Sequence, residues 1–136
     1  MYSFSTQTRI RYGETDQMGY CYYGNYALYL EVGRVEALRS LGMSYKALEN
    51  MQILLPVLEL NIKYFKPSFY DDLITIKTSI TKLPKVRIHF EYEIFNEKKE
   101  LLTKASTVLV FVSKENMKPT HCPKTLSDLL TPFFNN

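Results

Sequence analysis

A single long helical segment, apolar on most of its sides, is the feature that most constrains how this chain can fold. From residue 25 to residue 41 the sequence contains no proline, and apolar residues recur at spacings of three and four, the period of an α-helix. Gly42 follows as a residue typical of helix C-termini. Because polar residues are few in this segment, we expect something to enclose most of it.

Strand patterns lie on both sides of this helix. The candidate strands are residues 5–12, 54–65, 73–81, 86–95 and 101–113, with a short helical piece at 44–50. The segment 86–95 alternates apolar and polar residues almost without fault, which predicts a half-buried strand. Links of hairpin length join the last four strands. The sequence therefore predicts an α+β fold in which an antiparallel sheet wraps around one helix.

The composition favours a single intracellular domain. With 136 residues, 46% of them hydrophobic, the chain suits one domain over 1–136. The net charge of +3 is spread without a basic stripe, which argues against nucleic-acid binding, and we find no apolar run long enough for membrane insertion. The two cysteines are far apart and the two histidines do not share a ligand spacing. We therefore expect no metal site and a cytoplasmic location.

The loop ahead of the helix carries the clearest candidate for chemistry. Asp16 lies in the polar, turn-forming run Glu14-Thr15-Asp16-Gln17-Met18-Gly19, where Gly19 permits unusual backbone angles. The helix begins near residue 23 or 25, and N–H groups at a helix start have no partner within the helix. A carboxylate beside such N–H groups suits acyl chemistry. An aspartate between Thr and Gly could also serve only as a turn residue.

Other polar or reactive side chains have weaker claims. Lys82, Lys85 and Arg87 form a small basic group near one turn, where they would either bind ligand phosphates or act as surface charges. Glu31 has the spacing of an ion pair with the arginine one turn later. Cys21 has no histidine near it in sequence, and we expect it to be an inert buried residue.

Several motifs together resemble a known family. The run Arg11-Tyr12-Gly13-Glu14-Thr15-Asp16-Gln17-Met18-Gly19 is followed by Tyr22, by Gly24-Asn25-Tyr26 and by Glu31-Val32-Gly33-Arg34. This pattern resembles the signature of the 4-hydroxybenzoyl-CoA thioesterase family of hotdog-fold proteins, near its Tol-Pal-associated branch. The similarity continues through Leu55-Pro56-Val57, Tyr64-Phe65-Lys66-Pro67 and the closing strand at 108–112.

The resemblance implies hydrolysis of acyl-CoA thioesters without a metal or bound cofactor. By motif match Asp16 is the base or nucleophile, and the backbone N–H of Tyr23, with that of Gly24 beside it, stabilises the oxyanion. Many relatives carry histidine where this chain has Tyr23. Because the backbone makes the proposed contribution, the tyrosine should preserve carbonyl polarisation and remove any imidazole-dependent step. Gly19 and Tyr22 are the expected substrate contacts in the loop.

The resemblance also implies an assembly and leaves two rival functions open. Family members pair two sheets edge to edge across the active site, so we expect a homodimer or homotetramer acting on acyl-CoA or an acyl-carrier protein. Glu31 is the reserve catalytic residue, since other hotdog branches place a carboxylate on this helix. One rival is a hotdog hydratase or dehydratase, which usually needs a catalytic histidine in this region. The other is a non-catalytic acyl-CoA-binding domain, which would bind acyl-CoA without releasing thiol.

Overall fold

The computed structural model describes residues 1–134, which form seven strands and three α-helices. The strands are β1 (Tyr2–Arg9), β2 (Ile53–Leu54), β3 (Val57–Tyr64), β4 (Leu73–Ile80), β5 (Arg87–Phe95), β6 (Leu101–Val110) and β7 (Val112–Ser113). The helices are α1 (Tyr26–Ser40), α2 (Tyr45–Asn50) and α3 (Lys124–Leu130). Turns of 3₁₀ helix lie at Tyr12–Glu14, Tyr23–Asn25 and Thr131–Phe133. The predicted α+β class, with one long helix, is confirmed.

Five of the strands form one antiparallel sheet in the order β1-β4-β5-β6-β3. Thr103 of β6 faces Tyr64 at one end of β3, and Leu109 faces Val57 at the other end. β2 and β7 pair in a separate two-stranded sheet. Within residues 1–134, β3 is hydrogen-bonded along one side only, so it forms an open edge of the large sheet.

Strict alternation places the apolar side chains of the sheet on the face that meets α1. In β5 the buried positions are Ile88, Phe90, Tyr92 and Ile94, which confirms the period-two pattern expected for 86–95. β4 shows the same alternation, with three fully buried isoleucines and Thr78 on the inner face. The opposite face of the sheet carries the polar residues.

One side of α1 packs closely on β1 and β4. Leu30, Ala37 and Leu38 on this side are fully buried. Gly33 lets the helix approach the sheet, because a Cβ at this position would lie 2.5 Å from Thr78 Oγ1. After Leu41, Gly42 adopts a left-handed φ of +90° and ends the helix as predicted.

The other side of α1 is open in a single chain. Leu28 is 54% exposed and Val32 is 38% exposed, although the sequence predicts an enclosed helix. Leu58 and Leu60 on the open edge strand, β3, are also about half exposed. The enclosure expected for this helix is therefore found on its sheet side only, within residues 1–134.

Several predicted boundaries shift for local reasons. The strand predicted over 5–12 is β1, which ends at Arg9 because the following residues enter a 3₁₀ turn. The strand predicted over 54–65 is divided into β2 and β3 around Pro56, which lacks a backbone N–H for ladder pairing. Helix α3 was not predicted, and its signal is the spacing of four between Leu126 and Leu130, both fully buried.

Candidate active site

Asp16 occupies a tight turn between β1 and α1. Its backbone N–H donates to Tyr20 O at 2.8 Å, and the Gly19 N–H donates to Asp16 O at 3.0 Å. Gly19 has a φ of +83°, a conformation that residues with a side chain rarely adopt. The predicted glycine therefore shapes the turn that presents Asp16.

The carboxylate of Asp16 has one oxygen engaged and one oxygen free. Met18 N–H donates to Asp16 Oδ1 at 2.9 Å, which orients the side chain. In the part of the chain that the structure describes, no donor bonds Oδ2. A half-buried carboxylate with one fixed and one free oxygen is suited to activating water or attacking a carbonyl.

The start of the helix presents backbone donors. Tyr22 is extended, with φ −63° and ψ 131°, and the turn Tyr23–Asn25 leads directly into α1. The Asn25 N–H donates to Tyr22 O at 3.0 Å. The N–H groups of Tyr23 and Gly24 have no acceptor among residues 1–134. They are therefore available to a ligand, as expected for an oxyanion site at a helix start.

Asp16 and Tyr23 line the same cleft, which has a volume of about 290 Å³. Most of its wall is aromatic or apolar, and one carboxylate and one ammonium group stand at its surface. The lining residues are Asp16, Met18, Tyr20, Cys21, Tyr23, Tyr26, Tyr64, Phe65, Lys66 and Pro67. This combination, an apolar pocket with a few polar groups, is typical of a small-molecule site.

The end of β3 is tied to the helix start at this cleft. The Tyr64 hydroxyl donates to Tyr23 O at 3.2 Å, and the Tyr64 and Tyr26 rings pack edge to face with centroids 5.2 Å apart. The Tyr26 hydroxyl lies 2.8 Å from Oγ of the fully buried Ser68. The open edge strand of the sheet therefore reaches the cleft at its Tyr64 end.

Size alone does not select this cleft. A mostly apolar groove of about 310 Å³ lies between α2, β2 and Met117, and a shallow region of about 380 Å³ lies on the polar outer face of the sheet. Neither contains Asp16 or borders the unpaired N–H groups of the helix start. Chemistry, not volume, therefore favours the smaller cleft.

The remaining predicted residues in the loop and helix lie beside the cleft or away from it. Tyr22 does not line it, since its ring packs on Tyr23 with centroids 4.7 Å apart and covers Gly24. A Cβ on Gly24 would lie 2.7 Å from the Tyr22 ring, so the glycine makes room for it. Glu31 is exposed on α1, five residues after Tyr26, which lines the cleft. The predicted substrate contacts of Tyr22 and Glu31 stay predictions.

The predicted basic group lies at the far end of the sheet. Lys82, Lys85 and Arg87 are exposed around the β4–β5 connection. Ile94 of β5 pairs with Thr103 of β6, which pairs in turn with Tyr64 of β3 beside the cleft. Arg87 lies seven residues from Ile94 along β5, a distance of about 23 Å. Within one chain these side chains do not join Asp16.

A different basic residue stands at the cleft itself. Lys66 lines it and forms an ion pair with Glu100 in the β5–β6 loop. Lys66 was not predicted as a site residue. Its position is the available signal, because it lies between the end of β3 at Tyr64 and Pro67, and a proline marks a point at which a chain leaves a sheet.

Sequence reasoning also missed the role of Glu14, which is buried behind the loop. Its carboxylate accepts the Arg11 N–H at 2.7 Å, the Arg11 side chain at 3.1 Å and the Tyr29 hydroxyl at 3.0 Å. Burial opposes ionisation, but these hydrogen bonds and the charge of Arg11 outweigh it and hold the pKa of Glu14 below its ordinary value of 4.5. Glu14 is therefore an ionised structural carboxylate, in contrast to Asp16.

Cys21 is chemically quiet despite lining the cleft. Burial raises the pKa of its thiol above the ordinary value of 9.0, so the thiolate that a nucleophile requires is disfavoured. The inert role expected for this residue agrees with that shift. In residues 1–134 no three His, Cys, Asp or Glu side chains are grouped to hold a metal ion. None of the described helices has the length and hydropathy of a membrane span.

Comparison with known proteins identifies relatives of the whole chain. Residues 18–103 match the thioesterase superfamily. The chain is 35% identical to the putative acyl-CoA thioesterase YneP of Bacillus subtilis, over 98% of this chain and 96% of that protein. It is 31% identical to the acyl-CoA thioester hydrolase YbgC of Escherichia coli, over 90% of this chain and 92% of that protein.

Solved structures give the same picture. A DHNA-CoA thioesterase from Staphylococcus aureus superposes with a TM-score of 0.89 at 36% identity, covering 100% of this chain and 97% of that one. A 4-hydroxybenzoyl-CoA thioesterase variant complexed with 4-hydroxybenzoyl-CoA superposes with a TM-score of 0.85 at 20% identity, covering 95% of this chain and 99% of that one. The second likeness concerns the fold alone. The predicted hotdog fold is confirmed.

Proposed function

The chain belongs to the thioesterase superfamily, and from this membership and the geometry of the Asp16 cleft we propose that it hydrolyses acyl-CoA thioesters. The reaction consumes one water and yields a carboxylic acid and free CoA. A single observation supports the site assignment: Asp16, whose Oδ2 is free within residues 1–134, and Tyr23, whose N–H has no acceptor there, line one cleft. We assign the chemistry to one catalytic domain over 1–136, in the reducing cytoplasm.

The backbone donors supply charge stabilisation. As the thioester carbonyl becomes tetrahedral, its oxygen gains negative charge, and the N–H groups of Tyr23 and Gly24 would donate to it. The N-terminal end of α1 adds the positive end of a helix dipole. Loss of one such donor typically costs about 10²–10³ in rate. Because the donors are backbone groups, a tyrosine at position 23 serves this step without an imidazole.

Asp16 then acts by one of two routes. As a nucleophile, Oδ2 would attack the carbonyl carbon, expel the CoA thiolate and leave a mixed anhydride that water hydrolyses. As a general base, it would take a proton from a water that attacks the carbonyl directly. Both routes release the same acid, and the thiolate leaves without a strong general acid.

The open edge of the sheet supports a homodimer. A two-fold axis pairs a strand with its own copy in antiparallel order, so the partner's β3 would begin beside the point where β3 ends at the cleft. Half-exposed Leu58 and Leu60 on β3 and Leu28 on α1 would be covered in such a dimer. This pairing would also enclose the open face of α1.

The dimer would bring basic groups to the CoA end of the substrate. Lys66 already stands at the cleft of its own chain. In the antiparallel pair, the partner's β4–β5 connection lies at the same end of the joined sheet as this cleft. CoA phosphates at this cleft would thus be bound across the interface by the partner's Lys82, the partner's Lys85 and the partner's Arg87. A phosphopantetheine group on an acyl-carrier protein presents the same thioester.

A thiol-release assay on the wild-type protein tests the proposed function. Acetyl-, butyryl-, hexanoyl-, palmitoyl-, benzoyl- and hydroxybenzoyl-CoA, together with a carrier-protein thioester, are each incubated with the enzyme and released thiol is measured. We expect release from at least one acyl-CoA at a rate proportional to enzyme concentration. Tight binding of acyl-CoA without any thiol release would contradict hydrolysis and identify a binding domain.

A further inference from the structure

One buried residue connects the two halves of the candidate active site. Glu14 lies two residues before Asp16 and is 9% exposed. Its backbone carbonyl and its carboxylate are both used in hydrogen bonds, and the two groups hold different parts of the site. Neither Glu14 nor Tyr29, its partner on α1, lines the cleft.

The carbonyl of Glu14 holds the turn that carries the oxyanion donors. It accepts the Tyr22 N–H at 2.8 Å and the Asn25 Nδ2–H at 2.8 Å. These two residues flank Tyr23 and Gly24 on either side. The turn with the unpaired N–H groups is therefore fastened at both ends to one oxygen atom.

Asn25 is used in an unusual way for its position. An asparagine at a helix start commonly caps the helix through its side chain. Asn25 has helical angles, φ −77° and ψ −17°, and makes no capping bond. Its side chain instead reaches back across the loop to Glu14. The Asn25 side chain therefore links the loop to the turn and does not stabilise the start of the helix.

The carboxylate of Glu14 is held by donors from the helix and from the loop. The Tyr29 hydroxyl on α1 donates to Glu14 Oε1 at 3.0 Å, and its oxygen also lies 3.2 Å from the Cys21 thiol. Arg11 engages the same carboxylate through its backbone N–H and its guanidinium. Because Tyr29 belongs to α1, its hydrogen bond to Glu14 joins the loop of Asp16 to the helix.

We propose that Glu14, Tyr29 and Asn25 are positioning residues, which fix Asp16 relative to the N–H donors of Tyr23 and Gly24. The inference rests on the proposed hydrolysis. Small errors in the placement of reacting groups are costly, since a displacement of about 1 Å can reduce a rate by about 10²-fold. These residues therefore act on the rate through the atoms that they hold and make no contact with the substrate.

Two variants each remove one hydrogen bond of the network. Tyr29→Phe deletes the hydroxyl that donates to Glu14 and keeps the buried ring. Asn25→Ala deletes the side-chain donor to the Glu14 carbonyl at a partly exposed position. The matched control is Tyr92→Phe, which removes a buried phenol hydroxyl bonded to Thr107 at 2.6 Å, away from the cleft. Thermal midpoints of all proteins are measured in parallel.

Steady-state kinetics on the best acyl-CoA gives the first readout. We expect Tyr29→Phe and Asn25→Ala each to lower kcat about tenfold with KM within about twofold of wild type, and Tyr92→Phe to keep the wild-type kcat. Unchanged kcat in both variants would overturn the proposal, as would an equal loss in Tyr92→Phe. If Tyr29→Phe does not fold, Asn25→Ala decides, because its side chain lies outside the core.

Amide hydrogen exchange gives a second readout that does not depend on turnover. The Tyr22 amide, bonded to the Glu14 carbonyl, should exchange about tenfold faster in Tyr29→Phe and Asn25→Ala, and at the wild-type rate in Tyr92→Phe. Unchanged exchange at Tyr22 in both variants would overturn the positioning role. Absence of thiol release by the wild type would instead overturn the proposed function, so the two failures are distinguishable.

Discussion

At the scale of single residues, two carboxylates two positions apart are given different tasks by their surroundings. Glu14 is buried and accepts hydrogen bonds from Arg11 and Tyr29. Asp16 is half-buried and accepts one, from a backbone N–H. A carboxylate whose oxygens are all engaged is anchored, whereas one with a free oxygen is available for reaction. The three residues Glu-Thr-Asp do not distinguish them, because the difference arises from Arg11, three residues before Glu14, and from Tyr29 on the helix.

The pH dependence of folding should report on Glu14. Because its folded pKa is lowered, its contribution to stability is fully present above its ordinary pKa of 4.5 and is lost as the pH falls through the folded value. We therefore expect Glu14→Gln to show a smaller fall in thermal midpoint than wild type between pH 6 and pH 3.

The matched control for this prediction is Glu49→Gln, which alters an exposed carboxylate on α2. It should keep the acid sensitivity of the wild type. Identical pH profiles for Glu14→Gln and the wild type would contradict the stabilising role assigned to the Glu14 carboxylate.

At the scale of elements, the close contact between α1 and β4 depends on Gly33. A Cβ there would lie 2.5 Å from Thr78 Oγ1 and 2.7 Å from Ile76 Cγ2, so the helix or the strand must move. Overpacking costs about 1–3 kcal/mol, and two contacts this short place Gly33 in the upper part of that range, at about 2–3 kcal/mol, while alanine recovers about 1 kcal/mol of helix propensity. We expect Gly33→Ala to lower the free energy of unfolding by about 1–2 kcal/mol, measured by urea denaturation.

Gly13→Ala is the control for that substitution. A Cβ on Gly13 would meet no atom within 4 Å, and the residue is exposed in a 3₁₀ turn. Its stability should stay close to that of wild type. If Gly33→Ala were as stable as Gly13→Ala, the contact between α1 and β4 would have enough room to relax, contrary to this account.

Elements with a strong period were predictable from sequence, and elements defined by contacts were not. The span 86–95 and the helix at 25–41 came close to β5 and α1, because alternation and helical spacing are local signals. The placement of Asp16 near Tyr23 followed from a short loop. Lys66 lies at the same cleft as Asp16 because β3 ends there, and the place of β3 depends on the order of the strands. Strand order is a long-range property that no local pattern encodes.

At the scale of the whole molecule, one chain leaves an apolar surface uncovered. Val57, Leu58, Leu60 and Tyr64 of the edge strand are 47–49% exposed, and the outer side of α1 adds Leu28. Large apolar side chains exposed along an open strand edge are typical of an interface. The sequence indicated this uncovered surface, because α1 has apolar residues on more sides than a single chain encloses.

The proposed dimer predicts the effect of a charge on the edge strand. A dimer of the 16.0 kDa chain has a mass of about 32 kDa. Leu60→Lys should shift light scattering toward the monomer mass at micromolar concentration, because the ammonium group would be buried at the interface without a partner. Leu83→Lys, at a residue 39% exposed in the β4–β5 connection, should stay dimeric. A monomeric wild type would contradict the pairing through β3.

The most direct test of the central claim is the rate of thiol release by Asp16→Asn, compared with wild type on the best acyl-CoA. The amide keeps the Oδ1 acceptor for the Met18 N–H but can neither attack the carbonyl nor accept a proton from water. Asp128→Asn, at an exposed carboxylate on α3, is the matched control and should keep full activity. We predict a loss of at least about 10²-fold in kcat for Asp16→Asn, within the range for general acid–base catalysis. Activity within about twofold of wild type in a folded Asp16→Asn protein would contradict the assignment of Asp16.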